Sequence, residues 1–296
     1  MKIKTTYWQI GLAIAKLSKI WYTYTSSQLT VHQLDWSTQM LRFPQREDVR
    51  LQRAPLAEVI CQVRFPPVLR IASEQPFAFQ ERVRERFPQL EVEQGVVVRM
   101  EPLGTSLPSA KPEPRIFRFK SPDGHTAVSL ALNFYALSTT SYTHWRDFLE
   151  LLQLVNQAAC EVYNLPYALR LGLRYINHLT LENTGVSSVA ELRELLRPEL
   201  TMLLRGNCWD EPLEMLNQLL LVGENNERLT LRSGFRGEEE PVFLLDFDYY
   251  AEGNITLENL PDLCQRYHDV IYYAFRWCIP DEKLVVFDPV PVSEGE

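Results

Sequence analysis

No two cysteines in this chain stand in a Cys-x-x-Cys spacing, and their number, five at 61, 160, 208, 264 and 278, is odd. That excludes the usual disulfide framework of a small secreted domain and the usual ligand spacing of a structural zinc site, and it suits a reducing, cytoplasmic compartment. In this reading the thiols serve as small buried hydrophobes. Phosphate-cradling and catalytic signatures are missing too. The chain has no Gly-x-x-x-x-Gly-Lys, no Gly-x-Gly-x-x-Gly, no His-Glu-x-x-His and no Gly-x-Ser-x-Gly. Gly234-Phe-Arg-Gly237 lacks the strand-to-helix context of a phosphate loop and reads as a turn. Positive charge is scarce: the net charge of −8 gives no global attraction for nucleic acid, so a nucleic-acid partner is disfavoured. Nor is there an apolar run approaching the roughly 20 residues of a membrane span.

What is present is an ordinary globular composition, 46% apolar and 23% charged, enough for a proper core. Residues 1–39 differ from the rest, with four lysines against Asp35 alone. Lys2 and Lys4 precede the short apolar run Ile10–Ala15 as in a secretory signal, but Lys16 follows at once. The preferred reading is an appendage, disordered or upstream of a true start at Met40.

Beyond it the chain reads as one α+β domain over 53–290, built from two β-α-β-β-β-α units over about 55–164 and 168–280. Val59, Cys61, Val63 and Phe65 alternate on one strand face. A helix over 77–87 follows, and then a strand over 91–100. A proline-rich loop runs from Pro102 to Pro114. Arg115–Lys120 and Thr126–Tyr135 make a hairpin through Ser121-Pro-Asp-Gly124, in which Val128, Leu130, Leu132 and Phe134 share a face. From Thr143 a long helix carries the stripe Trp145, Phe148, Leu152, Val155, Ala159 and Val162. The second unit opens with the strand Arg170–His178 and continues with a short helix behind the capping box Ser188-Val-Ala-Glu191. Strands follow over 213–222, 229–235 and 242–249. Asn259 then starts a second long helix with Leu263, Tyr267, Val270, Ile271, Ala274, Phe275 and Cys278 inward. The expectation is an antiparallel sheet of about eight strands with both long helices on one face, leaving the reverse face open.

In Arg170-Leu-Gly-Leu-Arg-Tyr-Ile-Asn-His178, Leu171, Leu173 and Tyr175 fall on one side, and Arg170, Arg174 and His178 on the other. Asp246-Phe-Asp248 alternates likewise. Two carboxylates about 7 Å apart on one strand can hold a divalent cation or act as acid and base. With Arg174 and His178 beside them they would suit phosphate esters or nucleotides, a metal-dependent enzyme. The plainer reading pairs Asp246 and Asp248 with Arg170, Arg174 or Arg232 across neighbouring strands. A third reading places a small molecule between sheet and helices, against Tyr135, Tyr175, Phe247 and Tyr249. His268 is either a base beside the sheet or a boundary histidine bonded to the backbone. His125 and His144 read as local polar residues.

Pro55-Leu-Ala-Glu-Val59, Ser121-Pro-Asp-Gly124, Tyr142-Thr-His-Trp145 and above all Arg170-Leu-Gly-Leu-Arg-Tyr-Ile-Asn177 resemble an uncharacterised, sporadically distributed bacterial family of single-domain proteins of similar length. The resemblance covers about 53–290. It implies no reaction, cofactor or catalytic residue, and its patchy distribution suggests defence, toxin–antitoxin or mobile-element genes. The leading expectation is therefore a non-enzymatic binding or regulatory protein. Its surface is the exposed sheet face with Arg170, Arg174, His178, Arg232, Asp246 and Asp248, and neither metal nor cofactor is required. Its partner is another protein, encoded nearby, and a homo-oligomer is compatible with such a surface.

Overall fold

The computed structural model describes residues 43–291 except 94–95, 98–110, 113–114, 206–213, 224–225 and 238–239. The segment 1–39, Met40, Cys208 and most of the proline-rich loop lie outside the described residues.

Chain order explains how a period-two pattern becomes a sheet. β1 (Val49–Leu51) leads into β2 (Leu56–Arg64), then two short helices, α1 (Leu69–Ser73) and α2 (Phe77–Val83). There follow β3 (Gln89–Glu93), β4 (Val96–Val97), β5 (Lys111–Pro112), β6 (Ile116–Lys120), β7 (Thr126–Ala131), β8 (Phe134–Thr139) and the long α3 (Trp145–Tyr163). The second half runs β9 (Ala168–Thr180), α4 (Leu181–Thr184), α5 (Val189–Glu194), α6 (Pro198–Thr201), β10 (Glu214–Val222), β11 (Glu227–Arg236), β12 (Val242–Ile255), α7 (Leu260–Cys278) and β13 (Pro289–Pro291).

The protein is α+β. Its main sheet has nine strands in the order β10-β11-β12-β9-β2-β8-β7-β6-β3, with every neighbouring pair antiparallel. β1 pairs with β13, and β4 with β5, as separate two-stranded ladders. The opening strands of the two halves, β2 and β9, meet at the centre, Cys61 opposite Leu173 and Val63 opposite Leu171.

The expected count of about eight strands is corrected to nine at one place. The alternation through Thr126–Tyr135 hides a turn at Leu132–Asn133, which splits the segment into β7 and β8, with Ala131 opposite Phe134. Leu130 and Tyr135 stay on one face. Phe134 therefore lies on the other face, not with Val128 and Leu130 as the alternation suggested. The strand expected over 91–100 is also shorter, because pairing with β6 ends at Glu93. The hairpin between β6 and β7 forms at the expected turn. Gly124 there adopts φ +76°, and the Asp123 carboxylate accepts from Ser121 Oγ and from the His125 N–H.

Most of both helix stripes is buried, while Trp145 and Val162 of α3 and Leu263 and Val270 of α7 are only half-buried. In α3, Phe148, Leu152, Val155 and Ala159 are buried, and Asn156 Oδ1 accepts a 2.6 Å hydrogen bond from Tyr135 Oη on β8. Asn164 ends this helix in the left-handed conformation. In α7, Tyr267 packs edge-on to Tyr249, Phe275 meets Phe247, and Cys264 Sγ lies 3.9 Å from Cys61 Sγ. Burial pushes the Cys264 and Cys278 thiols up, the Cys61 contact acting first on Cys264, so both are neutral space-filling groups.

Of the caps read from sequence, Ser188 accepts from the Glu191 N–H, but the Glu191 carboxylate takes the Ser187 N–H instead of closing a reciprocal box. A reciprocal box does form between Thr180 and Asn183, where β9 passes into α4.

Candidate functional site: an arginine–aspartate lattice on the reverse sheet face

Period two sets the faces of β9 and β12. Leu171, Leu173 and Tyr175 are buried on the inner side, as are Phe243, Leu245, Phe247 and Tyr249. Arg170, Gly172, Arg174, Ile176 and His178 alternate with the first group, and Asp246, Asp248 and Tyr250 with the second. Register then decides which of these meet. Asp248 lies opposite Arg174, Asp246 opposite Ile176, and Arg232 on β11 opposite Asp246.

Arg232 pairs with Asp246 along its own rung, but the ion pairs of the β9 arginines do not follow the register. Arg174 leans past its own rung: Nε donates to Asp246 Oδ1 at 2.7 Å and Nη2 to Oδ2 at 2.6 Å. Such a two-pronged pair fixes both planes. Arg232 Nη1 adds a third bond to Asp246 Oδ2 at 3.1 Å, and its Nε reaches Gln218 on β10. Arg170 folds along its strand, so that Nη2 donates to both oxygens of Asp248 at 3.0 Å and the guanidinium lies 4.4 Å over the Tyr250 ring. That path crosses Gly172, where a Cβ would sit 2.4 Å from Arg170 Nη1. The glycine in Arg-Leu-Gly-Leu-Arg leaves room for the first arginine to lie flat. At the strand ends Arg228 pairs with Glu252.

Two guanidinium groups thus close over one carboxylate. Asp246 is 2% exposed although it points away from the apolar layer, while Arg174 and Arg232 keep 34% and 30% of their side chains in solvent. Desolvation is the largest single influence and acts against the Arg174 cation, but the Asp246 hydrogen bond and the charges of Asp246, Asp248 and Glu58 together outweigh it and hold the guanidinium charged. On β2, next to this cluster, burial pushes the Glu58 carboxyl up, with Arg174 and Arg118 pulling the other way.

His178 does not join this group. It lies opposite Leu244, beyond Ile176, is exposed, and is pushed below its usual range by desolvation and by Arg236. The six sequence candidates therefore separate into the trio Arg174–Asp246–Arg232, the neighbouring pair Arg170–Asp248, and one histidine beside them. Among the described residues no group of three or more His, Cys, Asp and Glu side chains comes together as metal ligands.

The inner-face aromatics proposed as a small-molecule lining are packed: Tyr135, Phe247, Tyr249 and Tyr175 are all buried against helix side chains. Among the described residues His268 meets a phenol and an indole, not the backbone group expected of it. Its Nδ1 is 2.9 Å from Tyr175 Oη, and its ring stacks on Trp145 at 4.5 Å, nearly parallel. Burial pushes this imidazole down to about 4, so it is neutral at pH 7 and accepts from the phenol when Nδ1 is unprotonated. His125 Nδ1 is 3.2 Å from Thr140 Oγ1, and His144 is the residue before α3.

Sequence reasoning missed Gly172, Tyr250 and Gln218 as parts of the lattice. The only available signal was a small residue between two arginines on one strand face. No helix among the described residues is long and apolar enough to cross a membrane. No family model matches the chain, and no curated protein is similar to it.

Proposed function

We propose that the chain is a non-enzymatic binding or regulatory protein, of the kind used in a bacterial defence or toxin–antitoxin system, and that it meets a protein partner with the reverse face of its sheet. The observation that carries this reading is the lattice itself. Asp246 and Asp248 both have their oxygens engaged by arginines, the Arg170 guanidinium lies over the Tyr250 ring, and the three cations against two carboxylates leave an ordered surface with one positive charge in excess. Half-exposed arginines held in place by acids suit a protein interface, because their planar donors and aromatic-like faces are already oriented. A phosphate ligand would have to displace those carboxylates.

The reading takes both long helices to cover one sheet face. In support, the strand residues touched by α3 and α7, namely Tyr135, Cys61, Phe247 and Tyr249, lie on the side opposite Arg174 and Asp246 in the ladder registers. It also takes the two halves as repeats of one unit. The sheet order supports this, since moving outward from β2 or from β9 the remaining strands of each half follow in reverse chain order.

The test is affinity capture from the native host with three forms of the protein. Wild type and an α3 variant, Glu150→Lys, are expected to recover a stoichiometric protein. Arg64→Glu/Arg228→Glu, two changes on the reverse face, is expected to lose it. Failure to recover a stoichiometric protein, or equal recovery by all three forms, overturns the proposal.

A further inference from the structure

The nine-stranded sheet has two edges, and they are built differently. β3 carries Glu91 and Glu93, each paired with a cation on β6, Lys120 and Arg118. Charges of this kind keep an edge strand from pairing with another. β10, the other edge, reads Glu214-Met-Leu-Asn-Gln-Leu-Leu-Leu-Val222: after Glu214 it holds no charge, no proline and no glycine. It runs in unbroken register along β11 from Glu214–Arg236 to Val222–Arg228. Leu216, Leu219, Leu220 and Val222 are 57%, 47%, 51% and 39% exposed, on both faces of the strand.

The backbone of this strand has a free side. The Gly223 N–H donates to Glu227 O, which makes that pair a hydrogen-bonded rung. Bonded rungs alternate along an antiparallel ladder, so the odd residues of β10 bond to β11. The N–H and C=O groups of Leu216, Gln218, Leu220 and Val222 therefore point outward, and among the described residues no strand pairs with them.

We infer that β10 is where two copies of this chain join, antiparallel and edge to edge, with Gln218 on the two-fold axis. Of all two-fold registers, that one alone pairs every residue of the strand with a counterpart. It sets Leu216 opposite Leu220 of the second copy on one face and Met215 opposite Leu221 on the other, with Asn217 against Leu219 and Glu214 against Val222, so two pairs are apolar on both sides and like charges never face each other. A second copy is the occupant that this register favours, because Leu216 and Leu220, the two most exposed leucines of β10, lie symmetrically about Gln218 and become each other's partners across the axis. A ladder of this length is about 30 Å long and buries on the order of 600 Å² per copy, the low end for a specific dimer. The association is correspondingly modest, with a Kd on the order of 10 µM. It joins two sheets into one, and because Gln218 also accepts from Arg232 Nε, the double leucine variant tests the dimer with that bond left in place.

Gln218→Pro is the informative variant. Its N–H points outward, so proline removes a donor from the dimer ladder and none from the β10–β11 ladder. Sedimentation equilibrium of the full chain is expected to show a reversible monomer–dimer system. Gln218→Pro and, separately, Leu216→Lys/Leu220→Lys should raise the Kd at least about 100-fold with an unchanged circular dichroism spectrum. Amide exchange supplies a readout that a folding defect does not mimic. As wild-type concentration rises through the Kd, exchange at Leu216, Gln218 and Leu220 should slow, while Asn217, Leu219 and Leu221, already bonded to β11, stay unchanged. A wild type that is monomeric at concentrations well above the expected Kd overturns the inference. So does a dimer that survives both variants, or one that lacks the alternating protection.

Discussion

The asymmetry of burial around Asp246 makes a prediction that ordinary surface ion pairing does not. The carboxylate is 2% exposed, whereas its two partners are about a third exposed. Replacing Asp246 with Asn leaves two cations that can swing to water, and the amide oxygen still accepts one bond. The cost expected is about 1–2 kcal/mol, discounted for the solvent around both arginines. Replacing both partners, Arg174→Met/Arg232→Met, leaves a buried, unpaired carboxylate instead, a loss of about 3–5 kcal/mol. Adding Asp246→Leu to that double variant should recover most of the loss, because no buried charge then remains. Urea denaturation at pH 7 gives the unfolding free energy of each form. If Asp246→Asn costs as much as the double arginine variant, or if Asp246→Leu rescues nothing, then burial of the carboxylate is not what organises the lattice.

Two further outcomes follow from the core. Leu152 is wholly buried between α3 and the rest of the core, so Leu152→Ala should lower stability by about 2–5 kcal/mol; a loss below roughly half a kilocalorie would place it at the surface. His268 should make the fold acid-sensitive. Its folded value near 4 lies below the ordinary 6.5, so the unfolded chain takes up a proton first. Its contribution is complete above pH 6.5 and is lost as pH falls toward 4, up to about 3 kcal/mol in all. His268→Gln should flatten that part of the stability–pH profile, and an unchanged profile would refute the buried-imidazole account.

Much of this architecture was legible in the residues. Alternation alone placed Leu171, Leu173 and Tyr175 opposite Arg170 and Arg174, and helical spacing picked out Phe148, Leu152, Val155 and Ala159 as buried. Both are local periodicities, and burial of an apolar face fixes them before any partner is known. The same rule failed at Leu132–Asn133, because a tight turn between two strands can leave the apolar alternation unbroken. Nothing local told β7 from β8.

The chain by itself determined the faces, the acids and bases on the reverse side, and the flanking positions of Gly172. Tertiary structure decided which arginine holds which aspartate. Arg174 and Asp246 are 72 residues apart in sequence and meet only because β12 lies beside β9 in one register. A shift of one residue would turn those side chains to the other face. The diagonal reach of Arg174, the flat course of Arg170 over Gly172 and the closure of two guanidinium groups over Asp246 all follow from strand spacing and side-chain length. They are properties of neighbours in space, which a one-dimensional pattern does not encode.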